Sequence, residues 1–171
     1  GEKSLDSKLL ESSYSVLDIE EGCVCCSLVG SLKSGINQIL EQFQPDYIVL
    51  ETTGVANPKN LLDELVEVEE QVRFDSVTTL VDAGNMRKSL AEYQVAREQL
   101  EAADIVVLNK TENMASQEVD ELKEELRTVQ PTAPIVATSY GDINPAVLYS
   151  GEGRTDYSGL SQGHSHNHDE D

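Results

Sequence analysis

The chain has 171 residues, enough for one α/β-sized domain with a real core, and no apolar run approaches the roughly 18 residues of a membrane span. Its 32 acids against 12 bases give a formal net charge of −20, which argues against nucleic acid and anionic membrane surfaces as partners. No signal peptide opens it, and its free, clustered thiols fit a reducing, cytoplasmic setting.

In chain order, Ser13 to Ile19 reads as a strand running into Gly22-Cys23-Val24-Cys25-Cys26. All three cysteines of the chain lie in that run. Neighbouring cysteines reach disulfide geometry only with strain, and an odd number without a distant partner excludes a disulfide framework. Such a cluster suits a soft or borderline metal such as zinc or copper(I); a redox thiol pair and small buried core cysteines are the competing readings.

Leu28, Leu32, Ile36, Leu40 and Phe43 then recur at helical spacing, predicting a helix from about Ser27 to Phe43. Asp46 to Leu50 reads as a buried-type strand ended by Glu51-Thr52-Thr53-Gly54. Asn57-Pro58 is a helix start, and the helix it opens carries Leu61, Leu62, Leu65 and Val66.

Phe74 to Val81 is the next expected strand, closing on Asp82-Ala83-Gly84-Asn85; Met86, Leu90, Tyr93 and Leu100 stripe a following helix. Ile105 to Leu108 is a short β-branched strand running into Asn109-Lys110-Thr111-Glu112. A helix from about Ser116 shows Val119, Leu122, Leu126 and Val129 on one face, and Pro134 to Ala137 is the last strand. The apolar stripes are core faces, and the acidic runs are solvated helix faces.

Strands alternating with helices mean βαβ units and a parallel sheet flanked by helices, an α/β fold. The pattern ends near residue 149, so 1–149 is expected to be the domain and 150–171 a disordered tail or linker rich in His and acids. In a parallel sheet, segments that follow strands collect on the carboxyl edge, where open α/β folds bind ligands. The cysteine run, Glu51–Gly54, Asp82–Asn85 and Asn109–Glu112 all follow expected strands, so the topology places them together.

An acid, two hydroxyl residues and Gly after Ile-Val-Leu have the form of a Walker B segment, though an ordinary strand-to-loop turn reads the same. Asn-Lys-x-acid after a β-branched strand suits guanine: the acid accepts from the ring N–H and exocyclic amine, and the Lys stem lies over the purine. The tail places His164, His166 and His168 among Ser, Asn and carboxylates. Tracts of this kind bind divalent metals, the alternative being a purification remnant or a solvated acidic terminus.

Together the strings Gly1-Glu2 with Leu5-Asp6, Glu21-Gly22-Cys23-Val24-Cys25-Cys26-Ser27, Glu51-Thr52-Thr53-Gly54-Val55-Ala56-Asn57-Pro58, Val81-Asp82-Ala83, Asn109-Lys110-Thr111-Glu112 and Ser139-Tyr140-Gly141-Asp142-Ile143 resemble the CobW-type GTPases, metallochaperone-like proteins related to HypB and UreG. The likeness extends over roughly residues 1–148. It implies a P-loop NTPase fold of the SIMIBI-like G-domain kind, and a GTPase that couples GTP and Mg²⁺ to the binding of Zn²⁺ or Co²⁺ for delivery to a metal-requiring client protein. A homodimer is compatible with it.

Carried over residue by residue, the resemblance makes Cys23, Cys25 and Cys26 thiolate metal ligands, with Glu2 an oxygen ligand. Glu51 and Gly54 become the Mg²⁺ and γ-phosphate sensor, Asn109, Lys110 and Glu112 the guanine reader, and Ser139 part of the segment backing the base. Glu112 stands where the family's pattern has Asp. No G-x-x-x-x-G-K-[ST] occurs anywhere in the chain. The first strand, P-loop and first helix are therefore expected to lie before Gly1, and the C-terminal domain after Asp171, making this a fragment with no hydrolysis of its own. A metal-buffering module without nucleotide activity is the alternative function.

Overall fold

The computed structural model describes residues 28–52, 57–66 and 68–149. These divide into two compact units, one of residues 28–52, 63–66 and 68–71 and one of residues 57–62 and 72–149. The expected strand at Ser13–Ile19, the cysteine run and the tail 150–171 lie outside the described residues.

In the first unit, α1 (Leu28–Phe43) forms where the apolar stripe predicts it, and Leu32 and Ile36 are buried. It ends because Gln44 adopts a left-handed φ of 44° and donates its N–H to the Leu40 carbonyl at 3.2 Å, after which Pro45 cannot extend the helix.

The strand expected at Asp46–Leu50 is absent: residues 47–50 carry no regular structure, and Tyr47 and Val49 are 69% and 77% exposed. A β-type sequence becomes a strand only when a neighbour takes up its backbone groups, and among the described residues no strand pairs with this segment. The helix opened by Pro58 is present as α2 (Pro58–Val66), with the Asn57 carbonyl accepting from the Leu61 N–H at 3.3 Å as a first turn requires.

The second unit holds a parallel three-stranded sheet, ordered β1 (Thr78–Asp82), β2 (Ile105–Asn109), β3 (Ile135–Ala137). Between β1 and β2 run α3 (Met86–Glu92) and α4 (Gln94–Glu101), and between β2 and β3 runs α5 (Ser116–Val129). β2 is central, and Ile105–Leu108 are all buried, as a continuous apolar run in a parallel sheet should be. One face of the sheet (Val81, Val106, Leu108, Ile135) packs with Met86, Leu100, Leu122 and Leu126 from the helices. Each fully buried Leu there contributes about 1.5–3 kcal/mol of transfer free energy.

Two boundaries differ from expectation. β1 is shorter than Phe74–Val81, beginning only at Thr78. The single helix expected through Met86 and Leu100 is two helices, broken at Tyr93, whose φ of −122° and ψ of 113° are extended. Arg97 compensates the break by donating its Nε–H to the Leu90 carbonyl at 3.0 Å.

The ends of α4 and α5 are tied by one buried amide. Gln130 Nε2 donates to the carbonyls of Leu100, Glu101 and Ala103 at 3.2, 2.9 and 3.1 Å. Its Oε1 accepts from the Thr132 and Ala133 N–H groups and the Thr132 hydroxyl. On the surface Arg87 of α3 grips Glu125 of α5 through both Nε and a terminal nitrogen.

Candidate functional site

The carboxyl ends of the three strands deliver three loops to one edge. β1 and β2 are in a register that sets Asp82 beside Asn109, and Leu108 stands beside Ala137, one residue before Thr138. The chemistry-bearing residues are thus the first ones past the core. Asn109 is aimed by β2, which cannot shift without moving the buried side chains of Ile105 to Leu108.

The loops are knitted by hydrogen bonds. The Ala83 N–H donates to the Asn109 carbonyl at 3.0 Å, joining the first loop to the second. Asn109 Oδ1 accepts the Gly141 N–H at 2.9 Å, joining the second to the third. Thr111 repeats that link: its N–H and hydroxyl donate to the Thr138 carbonyl at 3.3 and 3.0 Å, and its Oγ1 is 3.4 Å from Ser139 Oγ. The third loop is closed on itself by the Asp142 N–H to the Ser139 carbonyl and the Thr138 hydroxyl to the Asp142 carbonyl.

Backbone conformation marks the same place. Lys110 and Tyr140 hold left-handed φ angles of 66° and 56°, and Gly141 one of 68°. For non-glycine residues this costs free energy and persists only where surroundings enforce it. Tyr140 is also 85% exposed, a large ring left without packing beside the loop contacts.

Lys110 and Asp82 form the one ion pair of this edge among the described residues, with Nζ and Oδ2 2.7 Å apart. Asp82 is otherwise committed: Oδ1 accepts the Gly84 N–H at 2.9 Å and Oδ2 accepts from Asn85 Nδ2 at 3.1 Å. The hydrogen bond from Lys110 is the chief reason the Asp82 carboxyl sits below the ordinary 3.8, with Asn85 and Gly84 adding to it. Asp82 in turn raises the Lys110 ammonium above the ordinary 10.5, with Glu112 a smaller contributor.

Of the residues expected at the site, Asn109, Lys110, Glu112 and Ser139 come together here, Glu112 exposed on the loop that Asn109 opens. Glu51 is exposed and belongs to the other unit, so it is described by itself. Cys23, Cys25, Cys26, Glu2, Gly54, His164, His166 and His168 lie outside the described residues. Among the described residues no group of three His, Cys, Asp or Glu side chains could hold a metal ion. The sequence reading missed the clasp from Asp82 to Lys110 and the Gly141 amide. The sequence signalled only that Asp82 and Lys110 both follow expected strands; their pairing depends on the β1–β2 register.

A parallel α/β sheet thus gathers the Asn109–Glu112 loop and the Ser139 loop on its carboxyl edge. The chain belongs to the CobW/HypB/UreG family, matching its nucleotide-binding domain over residues 1–137. It is similar to the zinc chaperone YjiA of Escherichia coli, 28% identical over 90% of this chain and 50% of that protein. It is also similar to the zinc-regulated GTPase metalloprotein activator 1 of Schizosaccharomyces pombe, 29% identical over 74% of this chain and 32% of that one. The crystal structure of Zn(II)-bound YjiA GTPase from E. coli matches with a TM-score of 0.60 at 26% identity, over 72% of this chain and 40% of that chain. The chain therefore spans half or less of the lengths of these proteins.

Proposed function

We propose that this chain is part of a GTP-binding and GTP-hydrolysing metallochaperone. In this reading, nucleotide state is coupled to Zn²⁺ or Co²⁺ held at Cys23, Cys25 and Cys26, for delivery to a metal-requiring client. The observation that carries it is the knitted edge around Asn109-Lys110-Thr111-Glu112, found in a chain whose relatives are named zinc chaperones and a zinc-regulated GTPase.

Glu112 supplies an acceptor for the ring N–H and exocyclic amine of guanine, Lys110 an aliphatic surface for its face, and Asn109 and Ser139 the frame that fixes both. Glu51 is exposed and offers the hard oxygen that Mg²⁺ takes. A bound Mg²⁺ would offset charge on the phosphates, and Gly54 would let the backbone approach them. Three thiolates so close in sequence suit a tetrahedral zinc site whose fourth ligand is exchangeable, with Glu2 one donor for it. The tail residues His164, His166 and His168 would collect metal for that site.

The coupling is checked by titrating zinc into the intact protein in the presence of GTP and of GDP. Different affinities in the two states support it. Tight zinc binding with equal affinities overturns it and leaves a metal buffer.

A further inference from the structure

We propose that Asp82, which lies outside the guanine-reading string, is a positioning residue that holds the Lys110 side chain in its base-facing conformation before nucleotide arrives. This rests on the reading of Asn109–Glu112 as the guanine reader and deepens it.

The argument starts from how Lys110 is fixed at both ends. Its backbone is set by the left-handed φ of 66° between Asn109, whose side chain is bonded to Gly141, and Thr111, which is bonded to Thr138. Its far end is set by the 2.7 Å contact of Nζ with Asp82 Oδ2, although the lysine side chain is 61% exposed. A free lysine this exposed would sample many rotamers, and ordering it upon binding would weaken affinity. With both ends held, the four-carbon stem is a pre-ordered apolar strip.

Asp82 can do this because it is itself immobile. It ends β1 in register with Asn109, and the Gly84 N–H and the Asn85 amide hold its two oxygens. Exposed ion pairs add little to stability in general, so the role of this one lies in where it puts the lysine rather than in how much it stabilises the fold.

The experiment measures GDP and ADP binding by calorimetry on the intact protein carrying Asp82→Asn, Lys110→Met, both, or Asp82→Glu, with melting temperatures recorded for each. Asp82→Asn is expected to weaken GDP by about three- to ten-fold, the cost of ordering one long side chain at the moment of binding. ADP affinity should change less, and Asp82→Glu should recover part of the loss. In the Lys110→Met background, removing Asp82 should cost nothing further, because the two residues act as one unit.

Unchanged or tighter GDP binding by Asp82→Asn overturns the proposal, as does a loss that is fully additive with Lys110→Met. Should Asp82→Asn fail to fold, Asp82→Ser keeps an acceptor for the Gly84 N–H, removes the charge and carries the same expectations. If the wild-type protein binds GDP and ADP alike, the guanine reading itself fails, and the proposal with it.

Discussion

At the scale of single residues, Asp82, Asn109, Lys110 and Ser139 each have a side-chain partner from another loop. The Lys110 and Asp82 pair gives a pH signature whose sign is fixed by its two members. The Asp82 carboxyl is lowered in the fold, so its contribution is present above the ordinary 3.8 and fades as pH falls through the folded value. The Lys110 ammonium is raised, so its contribution is present below the ordinary 10.5 and fades as pH rises past it. Because the pair is exposed, urea denaturation should find only a small stability gap between wild type and Lys110→Met at neutral pH, closing as the solution is acidified below 3.8.

Gly141 supports a second prediction at this scale. Nothing lies within 4 Å of where a Cβ would stand, so Gly141→Ala meets no steric clash and costs only its φ of 68°. The expected loss is about 1 kcal/mol, read as a lower urea midpoint, with the Asn109 contact preserved. A much larger loss would mean that the loop cannot tolerate a methyl group for some other reason.

That Glu112 shares a loop with Asn109 and Lys110 was legible in the sequence, because the string is contiguous. Asp82 as the keeper of Lys110 was not. The two residues are 28 positions apart, and only the β1–β2 register brings them together.

At the scale of elements, the helices follow their stripes and the strands follow their neighbours. α1, α2 and α5 match their predicted spans because a 3.6-residue apolar period is a property of the segment itself. Asp46–Leu50 and Ile105–Leu108 are both short apolar runs, yet only the second is a strand. The difference lies in the partner, since β2 has β1 on one side and β3 on the other. Pairing cannot be read from the run alone. Neither could the break at Tyr93, where neither Pro nor Gly announces a turn and an arginine four residues on stabilises the opened carbonyl.

The most exacting element contact is Gln130. Every polar atom of its amide is bonded, and its donors bridge the carbonyls that end α4. Gln130→Ala should cost about 1–3 kcal/mol, since it removes the donor to the Ala103 carbonyl and the acceptor for the Thr132 and Ala133 N–H groups. Gln130→Glu should be worse at neutral pH, because it turns a charge toward three carbonyl oxygens. Urea midpoints for the pair check both statements, and a Gln130→Glu midpoint above that of Gln130→Ala would contradict the second. Leu126 of α5 is fully buried in the core against the sheet, and its truncation to Ala should cost about 2–5 kcal/mol.

At the scale of the whole molecule, charge and topology set the behaviour. A net charge of −20 on 171 residues means self-repulsion, so added salt should raise the melting temperature by screening it. A melting temperature unchanged between low and moderate salt would show that the acids are locally compensated. Among the described residues β1 pairs on one side only, and Leu80 on it is 67% exposed. High charge of one sign opposes association between copies. Near the sequence pI of about 4.3 that protection is lost, and association measured by light scattering should rise there.

The best-buried strand, β2, also ends on Asn109 and leads straight into Lys110, two of the residues proposed to read guanine. Interior and readout therefore share a single rod, with no compliant hinge between them to absorb error. A cavity made at Leu108 would tilt the Asn109 amide and blunt selectivity between purines while most molecules were still native. In this architecture, misrecognition would be the early symptom of core damage, and unfolding the late one.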